Sequence, residues 1–270
     1  MIGKTRQPPA EARGVLQQPI APGAVTHWRR NPAPDVAPWI ARYWTAAWNI
    51  ATGEKQSVET LPHPNVYIIF EDGSSIISGV HTEKFSRVLE GQSRVFGIKF
   101  RPGGFRPFLG APVSQLANSL RPASSVFGPE IQALEVLLLG PSTADEKFDA
   151  VDAFFRARRP TSDKQIDRAD HLVARILNDP SIKTVDDLAS YAAIGKRSLQ
   201  RLFSEYVGAS PKWVIRRYRL HELIERFGGG AEIDWAQTAL DLGYFDQAHL
   251  INDFKSIVGC SPLQYRERIP

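Results

Sequence analysis

The sequence is short of the residues on which covalent and metal-built scaffolds depend. Cys260 is the one cysteine among 270 residues. An intrachain disulfide is therefore impossible, and a cysteine-based zinc centre is strongly disfavoured. A DNA-alkyl-transfer protein needs reactive cysteines, and Cys260 lies in a turn between Gly259 and Ser261. Long apolar runs are missing as well. The richest, Val66–Phe70 and Leu137–Leu139, fall far below the roughly 20 residues of a membrane span. The start of the chain lacks the basic-then-apolar pattern of a secretory signal, so a cytoplasmic protein with no membrane contact is expected. No Walker loop, dinucleotide fingerprint or Ser/His/Asp order is visible, and neither enzyme activity nor a cofactor is expected. Charge of one sign is not in large excess either: 33 basic against 29 acidic residues leave +4, a weak pull towards anionic partners.

What is present is the composition of a folded protein, with 43% hydrophobic and 23% charged residues and enough length for two cores. Residues 1–38 carry Pro8, Pro9, Pro19, Pro22, Pro32, Pro34 and Pro38, and are expected to form a loose or surface-hugging arm. Residues 39–128 read as β-rich. "NVYIIFEDGSSIISGV" (65–80) has two strand-like runs divided by Asp72-Gly73, a hairpin signal, and "SRVFGIKFRPGGF" (93–105) is a strand ending at Pro102-Gly103-Gly104. From 129 to 160 Ile131, Leu134, Leu137, Leu138, Phe148, Val151, Phe154 and Phe155 recur at helical spacing, predicting a helical linker. "RARRPTSDK" (156–164) marks a boundary, and 161–270 reads as helix throughout.

That last region contains a duplication. "LQRLFSEYVGASP" (199–211) aligns with "LINDFKSIVGCSP" (250–262), with Leu199/Leu250, Phe203/Phe254, Val207/Val258, Gly208/Gly259, Ser210/Ser261 and Pro211/Pro262 identical. Upstream, Ala189 and Ala193 are four apart, as are Ala239 and Gly243, so the second copy has one extra residue in its turn. Each copy makes sense as helix, short turn, helix. Thr184 and Asp187 form a capping-box-like start, and small residues let the second helix approach. A glycine then ends that helix, and Ser-Pro begins the next. The second copy is expected to bury Trp235, Ala239, Leu240, Leu250, Phe254 and Val258. Two copies are too few for a solenoid. The outer faces carry Lys196, Arg197, Gln200 and Arg201 in one copy and Gln247, His249, Asn252 and Lys255 in the other. Arg suits guanine edges, and Gln and Asn suit adenine. Between Lys196 and Arg219 seven basic residues stand against one acid, Glu205, which is what phosphate contacts would need.

"LASYAAIGKRSLQRLFSEYVGASP" (188–211) and "ALDLGYFDQAHLINDFKSIVGCSP" (239–262) together resemble the DNA-binding domain of the AraC/XylS family of transcription regulators. The resemblance implies two helix-turn-helix units, about 184–207 and 233–258, joined by a long helix from Pro211 to about Phe227. Such a connector, about 25 Å long, would hold two recognition helices near one DNA turn apart, roughly 34 Å. It implies base contacts at Arg197, Gln200 and Arg201, then at Gln247, Ala248, His249 and Asn252. Lys196, Ser198 and Lys255 complete the implied DNA-binding set. Two departures stand out: Gly195 replaces a frequent serine N-cap, and Asn252 replaces a frequent base. With Asp246 and Asp253 on the second recognition helix, the first unit is expected to supply most of the affinity and the second to tune specificity.

"YIIFEDGS", "SGVHTEKF" and "GIKFRPGGF" resemble the cupin-like sensor domains that precede this module in many family members. The implied fold is α+β in two domains, a cupin-like β-barrel followed by an all-α tandem helix-turn-helix domain. The implied function is an effector-responsive, sequence-specific regulator, an activator or a repressor. Its implied partners are double-stranded DNA, RNA polymerase, a small-molecule effector and a second copy of the chain. His63 and His81 could be metal ligands on such a barrel, but two histidines without a third ligand read better as structural. Trp39, Tyr43, Trp44, Trp48 and Tyr67 could line an effector pocket, though aromatics in a β-domain are more often core. Arg101 with Gly103-Gly104 reads as a strand-ending turn before an anion nest. Two rivals are a cupin-type metal-binding enzyme or sensor with an appended DNA-binding module, and an interaction adaptor that has lost DNA.

Overall fold

The computed structural model describes residues 15–16, 25–227 and 233–267. Its strands are β1 (Val15–Leu16), β2 (Val25–Arg30), β3 (Ile40–Asn49), β4 (Gln56–Thr60), β5 (Tyr67–Glu71), β6 (Ser74–Ser78), β7 (Phe85–Leu89), β8 (Gln92–Phe100) and β9 (Leu120–Pro122). They form a six-stranded antiparallel sheet in the order β2-β3-β8-β5-β6-β9 and a three-stranded one in the order β1-β4-β7. Asp72 and Gly73 both take positive φ (47° and 71°), the pair of left-handed residues that a two-residue hairpin requires, and they close the β5–β6 turn. Among the described residues the two ladders do not join into one hydrogen-bonded ring. The domain is β-rich, but its strands stand as two packed sheets. Val58 and Leu89 of the small sheet lie against Ala46, Trp48 and Val95 of the large one.

The alternation of β3, β5 and β8 sends Tyr43, Ile68, Phe70, Phe96 and Ile98 to the opposite face. There they meet α3 (Glu130–Leu139) and α4 (Ala144–Ala157), which follow the short α1 (Arg106–Leu109) and α2 (Ser124–Phe127). Ile131, Leu134, Leu138, Phe148, Val151 and Phe155 are all buried in this core. Inside it the Tyr43 hydroxyl donates to Asp152 at 2.7 Å. The helical stretch read as a linker is thus a layer of the first core, because the stripes of both helices face the same sheet. Of the proline-rich arm, residues 1–14 and 17–24 lie outside the described residues. Val25–Arg30 pairs with β3 as an edge strand, since Pro22 and Pro32 bracket these six residues without interrupting them.

From α5 (Lys164–Asn178) onward the described chain is helical: α6 (Val185–Tyr191), α7 (Lys196–Leu202), α8 (Pro211–Phe227), α9 (Trp235–Asp241), α10 (Gln247–Val258) and α11 (Pro262–Arg266). A π-helical turn, Phe203–Val207, extends α7. Arg101 does not shape an anion nest. It donates to Asp170 at 3.2 and 2.7 Å and lies 3.3 Å from Asp167, tying the β-domain to α5. Gly104 is packed so closely that a Cβ would come 2.2 Å from the Trp39 carbonyl oxygen.

Candidate nucleic-acid interface

The first unit is α6 and α7. Thr184 caps α6 by accepting from the Asp187 N–H at 3.1 Å, while the Asp187 carboxylate accepts from the Thr184 N–H at 2.7 Å. Leu188, Ala189, Leu199, Leu202 and Phe203 close a core with α5 residues Leu172, Val173 and Ile176. Burial of Leu199 and Leu202 fixes the rotation of α7, so Lys196, Arg197, Ser198, Gln200 and Arg201 are all exposed on the remaining surface. Lys196 is 2.6 Å from Asp186. Gly195 occupies the N-cap without a side-chain bond to offer.

The second unit is α9 and α10. Asp234 caps α9 through the Gln237 N–H at 3.0 Å, and Asp246 caps α10 through the His249 N–H at 2.7 Å. Ala239, Leu242, Tyr244, Leu250, Phe254, Ile257 and Val258 are buried. Leu240, expected inside, is 55% exposed, and Trp235 is half-buried. At the upstream offset Leu240 aligns with exposed Ser190, whereas buried Thr238 aligns with Leu188. Apolar identity overrode register in the sequence reading. Gln247, Ala248, His249, Asn252 and Lys255 are exposed along α10. The turn into it is longer by one residue: left-handed Ala193 and Gly243 lie three and four residues before the next helix.

Two expectations about charge change. Asp253 does not present a carboxylate to a partner, since it is buried and ion-paired with Arg216. Nor does the connector α8 contribute all its bases to a phosphate-facing strip. Arg217 is fully buried and gives Nε to the Pro62 carbonyl at 2.9 Å. Arg219, 4% exposed, donates to the carbonyls of Ile176 at 2.8 Å and Asp179 at 3.1 Å. Lys196, Arg197, Arg201 and Lys212 are the members of that strip left on the surface. Sequence spacing cannot tell a snorkelling arginine from an inward one, because both sit beside apolar helix positions.

The β-domain reaches both units. Val80 fills a place in the first unit's core and Leu61 in the second's. Trp213 Nε1 donates to the Thr82 carbonyl at 3.1 Å, and the Lys84 N–H to the Ile257 carbonyl at 3.1 Å. Tyr206 donates to Asp163 at 2.6 Å, and Arg106 Nε to Glu205 at 2.7 Å. The π turn swings Ser204 towards Ser114, at 3.0 Å. None of these long-range contacts had a sequence signal. His63 lies against Arg217, Nδ1 3.5 Å from Nη2, and burial lowers the His81 pKa. Among the described residues no group of three or more His, Cys, Asp or Glu is placed to hold a metal ion. Trp39, Tyr43 and Trp48 are buried core residues, while Trp44 and Tyr67 are half-buried. Among the described residues no helix is long and apolar enough to cross a membrane.

Comparison with known proteins follows the same division. Residues 188–268 match the family model described as a helix-turn-helix domain, and residues 29–122 match a domain of unknown function (DUF6597). A protein of Haemophilus influenzae described as an uncharacterized HTH-type transcriptional regulator is 27% identical over 107 residues, which cover 40% of this chain and 35% of that protein. The chain therefore spans about a third of that relative. Among solved structures, a single-substitution variant of apo ToxT from Vibrio cholerae is 12% identical, covering 89% of this chain and 100% of that one, with a TM-score of 0.39. A 1.65 Å structure of ToxT from Vibrio cholerae is 13% identical, with 91% and 98% coverage and a TM-score of 0.36.

Proposed function

We propose that the chain, whose residues 188–268 match a helix-turn-helix domain model, is a sequence-specific, effector-responsive transcription regulator of the AraC type, acting in the cytoplasm. One observation carries this reading. Two helices of repeated design, α7 and α10, bury their apolar sides and leave Arg197, Gln200 and Arg201, then Gln247, Ala248, His249 and Asn252, exposed. The 17-residue α8 stands between them, about 25 Å long. The base-reading chemistry is direct. An arginine fork matches the O6 and N7 acceptors of guanine, an amide matches adenine N6 and N7, and the Ala248 methyl suits the thymine methyl. Lys196, Ser198 and Lys255 flank these residues as phosphate contacts. Each phosphate neutralised releases a counterion and steepens the salt dependence of binding.

The β-domain is then the sensor. It holds both units through Val80, Leu61, Thr82 and Lys84, so a change in it bears on the spacing and angle of both recognition helices. RNA polymerase and a second copy of the chain are the further partners proposed. The test is selection from a random duplex pool with full-length protein. It should enrich two short elements whose centres lie about one helical turn apart. Enrichment of no sequence, or retention of any polyanion equally, rejects the reading.

A further inference from the structure

The two recognition helices differ at one buried position in a way that needs a reason. Asp253 of α10 stands where α7 has Leu202, and both are inside, 5% and 8% exposed. A charged side chain in a leucine's place destabilises the fold unless it is answered. Arg216 of the connector pairs with Oδ1 of Asp253. Oδ2 is buried and has no hydrogen-bond partner. An open buried acceptor costs more than one satisfied bond returns, so a donor for Oδ2 is the missing part.

His249 is in place to supply it. It precedes Asp253 by four residues on the same helix, and its Nε2 lies 4.0 Å from Oδ2. That gap is wider than a hydrogen bond, and a small turn of the imidazole closes it. The ring is held on a second side, edge-on to buried Tyr244 with centroids 5.2 Å apart. Its backbone N–H is tied to the Asp246 cap at 2.7 Å. The His249 side chain is still 51% exposed, beside exposed Gln247, Ala248 and Asn252. α7 has no such pair, since the counterpart of His249 there is Ser198.

We propose that Asp253 is a positioning residue for base reading: it takes the Nε2 proton of His249, so that Nδ1 accepts from an exocyclic amino group of cytosine or adenine in the second operator element. The inference rests on the DNA-binding reading above and adds the base chemistry of one position. A neutral imidazole has one donor and one acceptor, and the bond made by one nitrogen assigns the role of the other. In the major groove the donors are cytosine N4 and adenine N6, whereas guanine O6 and N7 and thymine O4 accept. His249 held in this way rejects guanine, the base that a doubly protonated ring would select.

The experiment is selection from a random duplex pool with full-length parent and His249→Ala proteins, followed by affinities for single sites. One position of the second element should lose its preference in His249→Ala, and it should hold cytosine or adenine. Removing only the amino group there, with 2-pyrimidinone for cytosine or 2-aminopurine for adenine, should weaken the parent roughly three- to tenfold and leave His249→Ala unaffected. Asp253→Leu should flatten the same position while the first element keeps its sequence, a result that a merely structural aspartate would not give. Arg216→Met combined with Asp253→Leu removes the ion pair whole, preserves the fold where the single change does not, and should read DNA in the same flattened way. Three results overturn the proposal alone: no position that depends on His249, no response to loss of the amino group, or a loss with 7-deazaguanine instead. An Asp253→Leu or double-variant protein with the parent's preference at that position also overturns it. A parent pool that enriches no sequence overturns the DNA-binding reading along with it.

Discussion

At the scale of single residues, burial decides which charges can meet a partner. Arg197 and Arg201 are exposed, whereas Arg217 and Arg219 are not. Arg201→Ala is expected to weaken operator binding by about 1–3 kcal/mol, the worth of a good bidentate contact. Asn252→Ala should cost less affinity and broaden base preference. A competition gel shift with both variants checks the order, and a larger loss for Asn252→Ala contradicts it. Titration gives a second expectation. Burial lowers the pKa of His27 and His81, and Lys99 stands at about 7. For each of these groups the unfolded chain binds protons more readily than the folded one, so stability rises with pH across the gap between the two pKa values. For the histidines that window lies below their ordinary 6.5, and for Lys99 it runs from about 7 towards 10.5. Urea midpoints should therefore increase from pH 5.5 to 9.5, and Lys99→Met should flatten the upper half. A midpoint that falls between pH 7 and 9.5 would contradict the burial of Lys99.

At the scale of elements, most of the recognition units was legible in the sequence. Thr184, Asp187, Ser210, Gly208 and Gly259 act through local backbone chemistry, and the π turn is the main feature between them that spacing did not announce. Leu240 was misplaced because a leucine beside Ala239 looks apolar whichever way the helix is turned; only Leu242 and Tyr244 fix that turn. Two glycines give opposite expectations. Gly208 has φ 88°, and a Cβ there would lie 2.8 Å from Val113 Cγ1, so Gly208→Ala should destabilise by about 1–3 kcal/mol. Gly195 has room around it and an extended N-cap conformation, so Gly195→Ser should stabilise by a few tenths of a kcal/mol. Chemical denaturation of both proteins checks the pair, and equal effects would contradict the cap assignments.

At the scale of the whole molecule, local patterns lose their reach. That a β-rich region precedes a helical one was readable from alternation and helical periodicity. That Val80 and Leu61 complete the cores of the two recognition units was not, because those clusters join residues far apart in the chain. Residues 161–270 expressed alone should still bind duplex DNA, weakly and with steep salt dependence. They should also unfold at lower denaturant than the same helices in the full chain. Leu61→Ala in the full chain should cost about 2–4 kcal/mol, a typical price of a large-to-small core change. A fragment as stable as the intact protein would show the β-domain to be a passenger. The central claim concerns how the two units act together. On the proposed reading α8 is a stiff spacer, and α7 and α10 enter the groove on one face of the duplex. The direct measurement is the affinity of full-length protein for a selected site and for the same site with five base pairs inserted between its two elements, half a helical turn. The expected result is a loss of at least about tenfold, with affinity largely recovered at ten inserted pairs only if the second unit finds a new contact by itself. Unchanged affinity at five inserted pairs would mean that the two helices do not read DNA as one rigid pair.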